Sequence, residues 1–299
     1  MQLAVAGLPV RSITFDRLQR LEIWLKSQNP IERQLDWITQ CPNLTSLDWR
    51  YSSDDQPTSQ FMGRFVPGTW PHLSRLSLQG IEFADAQLAQ VIGAMQDLKS
   101  LSFQECEVGS CFLEALRHHS QTLRYLDITS CDVLTRSLIP GILASFPHLE
   151  SLYIEHVMSQ DIIDSPPWVC ERSLKLLHIG ISFSFLQDAD YQRQVLQRIS
   201  RLTNLKNLML DCGLGDAKSL DLRLENGLDQ LATLKKLEKL RLHLRMEPLS
   251  VRDAEWMINN WKNLKEVNGY FRNNKDELAS IFCAAGIKFN ATGINYRAF

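Results

Sequence analysis

Hydrophobic residues recur along the chain in one pattern, L-x-x-L-x-[LIF], in which the second and third apolar positions are two residues apart. Because side chains alternate between the two faces of a β-strand, both positions point to one face and the residues beside them point to the other. Two copies, which begin at Leu44 and Leu264, depart at the third apolar position. The clean copies begin at Leu18, Leu73, Leu98, Leu123, Leu149, Leu174, Leu205 and Leu237. The pattern predicts about ten short strands, each buried on one face.

Helical segments alternate with these strands. Residues 85–96 place Leu88, Val91, Ile92 and Met95 on one side of a helix. Similar segments predict helices at about 30–40, 110–119, 137–145, 190–201, 252–261 and 275–284.

The interval between successive first leucines is 25–32 residues, which lies in or near the range of leucine-rich repeats. One strand–helix unit cannot cover its own apolar face, whereas stacked units can. We therefore expect an α/β leucine-rich-repeat solenoid of about ten repeats. It should be a curved horseshoe with parallel strands on the concave face and helices on the convex face. Residues 18–271 form this solenoid, 1–17 are an N-terminal cap or remnant, and 272–299 are a C-terminal cap.

Two cysteines occupy a fixed place in the repeat. Cys106 and Cys131 each stand eight residues after a first leucine, which is the Asn/Cys position of the leucine-rich-repeat consensus. A small buried side chain there closes the turn that follows the strand. The sequence therefore predicts a packing role for both thiols.

Motifs for catalysis and for metal binding are missing from the sequence. The spacing of Cys106, Cys111, His118 and His119 matches no common zinc pattern. There is no phosphate-binding or dinucleotide loop and no G-x-S-x-G elbow. The histidines His118, His119 and His156 lack a predictable serine–acid partner, and we expect them on the surface. The sequence thus predicts a protein that is not an enzyme, with no catalytic, cofactor-binding or metal-binding residues.

Charge and composition limit the classes of partner that the chain is expected to bind. The 299 residues carry 32 basic and 34 acidic side chains, a net charge of −2, which favours neither nucleic acid nor an anionic membrane. Lys239 and Arg241 alternate with leucines between Leu234 and Arg245, but Glu238 dilutes the patch, which we interpret as a solvated strand edge. No apolar run approaches the ~20 residues of a membrane helix. Seven cysteines without a C-x-x-C pair, and no secretory signal, predict a reduced protein in the cytoplasm or nucleus.

The predicted strands also define a candidate binding surface. Residues at the second, fourth and sixth places after each first leucine point away from the core and line the concave face. Aromatic groups beside charged groups on a rigid sheet are typical of protein-binding hot spots. The alternative is that these positions are ordinary solvated surface. The predicted partner-binding residues are Trp24, Arg50, Tyr125, Asp127, Tyr153, Glu155, His178, Asp211, Lys239 and Arg241.

Several segments resemble a known group of proteins. "ITQCPNLTSLDW" and "LDITSCDVLTRSLIPGILASFPHLESLYI" are similar to the cysteine-containing repeats of the ribonuclease-inhibitor-like superfamily. "NGLDQLATLKKLEKLRL" and "VRDAEWMINNWKNLKEVNGYF" resemble the C-terminal end of the fungal F-box/leucine-rich-repeat family. The resemblance covers roughly residues 18–271.

In that family the repeats hold the substrate of a cullin-type ubiquitin ligase, and an F-box docks a Skp-type adaptor. A three-helix F-box needs ~35 residues, and only 17 residues precede the first repeat here. We therefore expect no F-box in this sequence, and a Skp-type adaptor only if an F-box exists upstream. The resemblance implies substrate recognition for a ubiquitin ligase. The alternative is a non-ligase scaffold or regulator, such as a small-GTPase modulator.

Overall fold

A computed structural model describes residues 15–26, 38–52, 62, 68–135, 137–183, 189–212, 220–243, 249–269, 271 and 274–291. The chain divides into two compact units, Met1–Leu149 and Glu150–Phe299. Most of the predicted N-terminal cap and most of the helix predicted at 30–40 lie outside the described residues. A single solenoid over 18–271 stays a prediction.

The first unit is built on a parallel sheet whose strands follow one another in chain order. Its neighbouring strands are β1 (Arg20–Lys26), β2 (Ser46–Ser52), β3 (Arg75–Gln79), β4 (Ser100–Phe103) and β6 (Tyr125–Asp127). Two short strands, β5 (Glu107–Val108) and β7 (Asp132–Val133), form a second parallel pair. The helices α1 (Asp85–Gly93), α2 (Ser110–Arg117) and α3 (Leu138–Ser145) pack against one another in the same order.

The second unit repeats this arrangement. Its parallel strands, again neighbours in chain order, are β8 (Ser151–Met158), β9 (Leu176–Ser182), β10 (Asn207–Cys212), β11 (Lys239–His243), β12 (Glu266–Gly269) and β13 (Lys288–Ala291). Its helices are α4 (Ser159–Ile163), α5 (Ala189–Ile199), α6 (Val251–Asn260) and α7 (Lys275–Ala284), with 3-10 turns at Leu224–Asn226 and Leu228–Thr233.

The strands begin where the leucine pattern places them. In all ten predicted repeats the strand starts two residues after the first leucine, as β1 does after Leu18 and β12 after Leu264. The register aligns the second apolar position of neighbouring repeats, for example Leu76 with Leu101 and Leu208 with Leu240. These positions are almost fully buried. The prediction of an α/β leucine-rich-repeat fold is therefore confirmed.

Most of the helices predicted from the 3.6-residue spacing of apolar residues are present. Six predicted helices are present within one or two residues of their predicted starts, and α1 buries Leu88, Val91 and Ile92. In the long interval after β10, the described residues from Leu220 onward form two 3-10 turns. Of the helices described in the structure, none is long and apolar enough to cross a membrane.

A left-handed residue recurs in four consecutive repeats, after the end of the strand in three of them and inside β8 in the fourth. It stands seven residues after the first leucine, at Gly80, Glu105, Ser130 and His156, with φ between 56° and 73°. At Gly80 an added Cβ would lie 1.8 Å from the carbonyl oxygen of Tyr51, so only glycine fits there. The equivalent residues of the next two repeats continue in strands β9 and β10 without this turn.

The residue after this turn closes it. The buried thiol of Cys106 donates to the carbonyl oxygens of Ile81 and Gln104, both at 3.3 Å, and that of Cys131 donates to Phe103 O at 3.5 Å. Each thiol thus bonds to backbone of the preceding repeat. A hydrogen bond to Cys106 and burial together raise the pKa of Cys131. These contacts confirm the predicted packing role.

One histidine departs from its predicted surface location. His119 is 2% exposed. Its Nδ1 accepts a hydrogen bond from the Leu98 amide at 3.4 Å, and its Nε2 lies 3.2 Å from Ile92 O. Burial lowers its pKa. The surface prediction was wrong for His119 because the ring satisfies buried backbone groups that the helix end would otherwise leave unpaired.

The segment predicted as a C-terminal cap carries one more helix and strand. β13 pairs in parallel with β12 and so adds a strand beyond the last predicted repeat. Gly269 replaces the third apolar residue of β12, and an added Cβ there would lie 3.0 Å from the Phe271 ring. Phe271 packs on Phe289 of β13 with ring centroids 4.8 Å apart, so the aromatic pair fills the missing position.

Candidate functional site: the outer face of the sheets

The candidate site is the sheet face opposite the core. The side of each sheet that carries the second, fourth and sixth residues after each first leucine is called the outer face below. Burial alternates along the strands as the pattern predicts: β3 reads exposed, buried, intermediate, buried, intermediate. Most outer-face side chains are partly or fully exposed, whereas Ser102, His178 and Asn268 are buried.

At the start of the first unit, Trp24 and Arg50 meet on adjacent strands. The two residues are directly paired in the register of β1 and β2. Arg50 Cζ lies 4.6 Å from the centroid of the Trp24 ring, and the indole is 64% exposed. Asp48 holds the guanidinium from the other side, with 3.3 Å between its Oδ2 and Arg50 Nη2. The result is a fixed aromatic–cation patch that faces solvent.

At the end of the first unit, Tyr125 and Asp127 form a hydrogen-bonded cluster. The Tyr125 hydroxyl and the Ser102 hydroxyl each donate to Asp127 Oδ2 at 3.3 Å. The other oxygen, Oδ1, accepts from the amide and the hydroxyl of Thr129 at 3.1 and 2.8 Å. With both carboxylate oxygens occupied, Asp127 orients its neighbours and acts as an internal acceptor.

In the second unit four predicted residues come together across three strands. The rings of Tyr153 on β8 and His178 on β9 meet edge to face, with centroids 5.9 Å apart. His178 Nε2 lies 3.6 Å from Asp211 Oδ2 on β10. One donor atom each from Glu155, His178 and Asp211 lie within 4.8 Å of one another. We call these three residues the carboxylate–imidazole cluster.

An irregularity of β8 positions Glu155 in this cluster. The register passes from Ile154 opposite Ile179 to Val157 opposite Ile181, so Glu155 and His156 together face Gly180. This is a β-bulge, which bends a strand and redirects its side chains. His156 is the left-handed residue of the bulge, with φ 61°, and its Nε2 lies 3.9 Å from Glu155 Oε2.

The last two predicted residues lie farther along the second unit. Lys239 pairs with Glu266 on the next strand, with Nζ and Oε2 3.3 Å apart. Arg241 stands in register between Met209 and Asn268. Neighbouring lysines are also matched by carboxylates, because Glu238 contacts both Lys206 and Lys265. The lysines are thus matched by carboxylates on the sheet surface, but β11 is paired with both β10 and β12, so the interpretation of this run as a strand edge was wrong.

Sequence reasoning missed several outer-face residues that the structure includes. Glu266, Asn268 and Asn290 form a polar ladder, in which the Asn268 amide donates to Glu266 Oε1 at 3.0 Å and the Asn290 amide donates to Asn268 Oδ1 at 2.5 Å. The same spacing rule, applied to the repeat of Leu264, would have identified the first two. Asn290 follows no repeat of the pattern and had no signal.

No protein family model matches this chain. No curated protein matches it either. The similarities that exist are to solved structures.

One similar structure is an internalin (inlF) from Listeria monocytogenes, at 18% identity and a TM-score of 0.49. The match covers 86% of this chain and 64% of the internalin chain, so this chain spans less than two thirds of that protein. Another is a protein from Bacteroides fragilis, at 15% identity and a TM-score of 0.45, with coverage of 87% of this chain and 70% of that chain.

Proposed function

We propose that the chain is a protein-binding leucine-rich-repeat module that holds its partner on the outer face, with no catalytic activity of its own. The observation that carries this proposal is the exposed Trp24 ring, fixed under the Arg50 guanidinium. Trp and Arg are the residue types that dominate binding hot spots.

The Trp24–Arg50 pair is already ordered before a partner binds. Arg50 is held by Asp48 on one side and by the indole on the other, so little side-chain freedom remains to be lost on binding. The indole offers a large apolar surface that water still covers, and covering it with a partner is favourable. A partner that presents an apolar side chain to Trp24 beside a carboxylate for Arg50 fits this chemistry.

The test is affinity capture from native cell lysate with the purified full chain as bait. The double variant Trp24→Ala/Arg50→Ala should lose the main recovered protein. The matched control is Leu134→Ala, which removes a 52% exposed apolar side chain of the same unit that stands outside the repeat's outer-face positions. Equal recovery with wild type and the double variant, or equal loss with the control, would refute the proposed surface.

The identity of the recovered protein separates the two biological roles. A Skp-type adaptor and a cullin, recovered with wild type, would support substrate recognition for a ubiquitin ligase, the role that the family resemblance implies. A partner free of ligase components would support a scaffold or regulator.

A further inference from the structure

We propose that Glu155, His178 and Asp211 form a binding site for a divalent transition-metal ion of the zinc class. The three residues offer one imidazole nitrogen and two carboxylates, and their donor atoms lie within 4.8 Å of one another. Imidazole and carboxylate are both ordinary zinc ligands. The inference concerns the second unit alone and does not depend on the proposed binding at Trp24.

The buried imidazole of His178 points into the cluster without a hydrogen bond. The residue is 9% exposed, and its Nε2 has no hydrogen-bond partner within the part of the chain that the structure describes. The 3.6 Å between Nε2 and Asp211 Oδ2 is too long for a hydrogen bond. Two ligands of a tetrahedral zinc, with bonds of ~2.0–2.1 Å, are ~3.3–3.5 Å apart, which is close to this distance. A metal ion between the two atoms would give His178 Nε2 the partner it lacks among the described residues.

The charges of the cluster favour a cation. Glu155 and Asp211 are on either side of His178, and their side chains are 26% and 22% exposed. Partial removal from water strengthens the repulsion between the two carboxylates and their attraction for a positive ion. A divalent ion balances the charge of both carboxylates, and imidazole is a common ligand of such ions.

The backbone fixes the geometry. The ligands come from three adjacent parallel strands, and strands hold a site more rigidly than loops do. The central strand contributes Gly180 beside His178, opposite both Asp211 and the bulge of Glu155. Because glycine has no side chain, position 180 places no side chain of its own between the flanking carboxylates. The left-handed turn at His156 creates the bulge, and such strained residues concentrate at functional sites.

The donor set also selects the metal. Calcium prefers six to eight oxygen ligands and magnesium keeps several waters, so one nitrogen and two carboxylates suit neither well. Zinc with three protein ligands keeps a fourth position for water or for a group of another molecule. The partial exposure of Glu155 and Asp211 leaves this fourth position on the solvent side.

The experiment is isothermal titration of the full chain with zinc chloride after removal of metals by chelation. Exposed Cys111 and Cys283 can bind zinc by themselves, so the background carries Cys111→Ser and Cys283→Ser. We expect one zinc ion per chain in this background. Asp211→Asn and Glu155→Gln keep the shape of the side chains and should each weaken binding at least ~10-fold, because each removes a charged ligand. His178→Ala should abolish binding.

The matched control is His148→Ala, which removes an exposed histidine elsewhere and should leave the affinity unchanged. Circular dichroism shows whether each variant folds, and if His178→Ala does not, Asp211→Asn decides. Zinc should also raise the melting temperature of the background but not that of Asp211→Asn. The absence of saturable binding at millimolar zinc, or equal affinity in the background and in Asp211→Asn, would overturn the proposal.

Discussion

The repeats around β3, β4 and β6 end differently from those around β9 and β10, although all share one leucine pattern. In the first group the chain turns through a left-handed residue at Gly80, Glu105 and Ser130. In the second group it passes the same position at Ile181 and Cys212 in an extended strand. Two residues after Glu105 and after Ser130 the short strands β5 and β7 begin, whereas the extended repeats lengthen the strands of the main sheet.

The difference shows how a regular repeat acquires a particular site. β8 contains a left-handed residue, His156, but continues past it to Met158, and its neighbour β9 is extended at the equivalent position. The bulge adds one residue inside β8, so two residues of β8 face one residue of β9 and pairing resumes at Val157. The carboxylate–imidazole cluster lies at this mismatch. Regular stacking of the repeats buries the core, whereas the bulge in β8 brings polar side chains of three strands together.

The largest expected effect tests what the two kinds of repeat share. Leu126→Ala in the first unit and Leu208→Ala in the second each remove a fully buried side chain at the second apolar position. Each should lower the free energy of unfolding by ~2–5 kcal/mol, measured by urea denaturation. The exposed-site variant Leu134→Ala should stay within ~0.5 kcal/mol of wild type. A loss at only one of the two leucines would show that the units do not share one packing rule.

A smaller effect tests the turn itself. Gly80→Ala places a side chain at φ 73° against the Tyr51 carbonyl, and should cost at least ~2 kcal/mol of unfolding free energy. Glu105→Gly changes the equivalent turn in the opposite sense, relieves the left-handed strain and should stabilise the protein by ~0.5 kcal/mol. Thermal denaturation of both variants measures the contrast. If both changes had the same sign, the left-handed turn would not be the controlling feature.

The smallest expected effect is on the pH dependence of the free energy of unfolding. The position four residues before a first leucine is buried in both units: it is His119 in the first unit and Cys170 in the second. Burial raises the pKa of the Cys170 thiol to about 12. Because burial lowers the pKa of His119, the unfolded chain binds a proton at a higher pH than the folded chain does. The free energy of unfolding should therefore fall as the pH drops below about 6.5, the ordinary histidine value.

His119→Gln removes this titration and should show a shallower fall between pH 7 and pH 5 than wild type, by urea denaturation at each pH. Parallel curves for the two proteins would mean that His119 does not contribute to acid sensitivity. Cys170 should not titrate in that range, since its raised pKa lies far above it.

Sequence reasoning reached the outer face but not the contacts on it. It selected Trp24 and Arg50 from equivalent places in two repeats, and the register pairs them. It also selected Glu155, His178 and Asp211, but as separate contacts for a partner and with no metal site expected. Their convergence depends on the bulge in β8. The left-handed residue of that bulge is His156, and a glycine or asparagine, which would have indicated a left-handed position, is not present there.

The sequence by itself determined where the strands begin and which of their residues are buried, because a period of two within the strand and a recurring leucine between strands are local properties of the chain. Only the tertiary structure decided that His119 is buried, that β13 adds a strand beyond the last leucine pattern, and that three polar residues from separate repeats lie within 4.8 Å. Those outcomes depend on how each repeat packs against its neighbour. Backbone conformation and register set that relation, and neither has a residue signature at these positions.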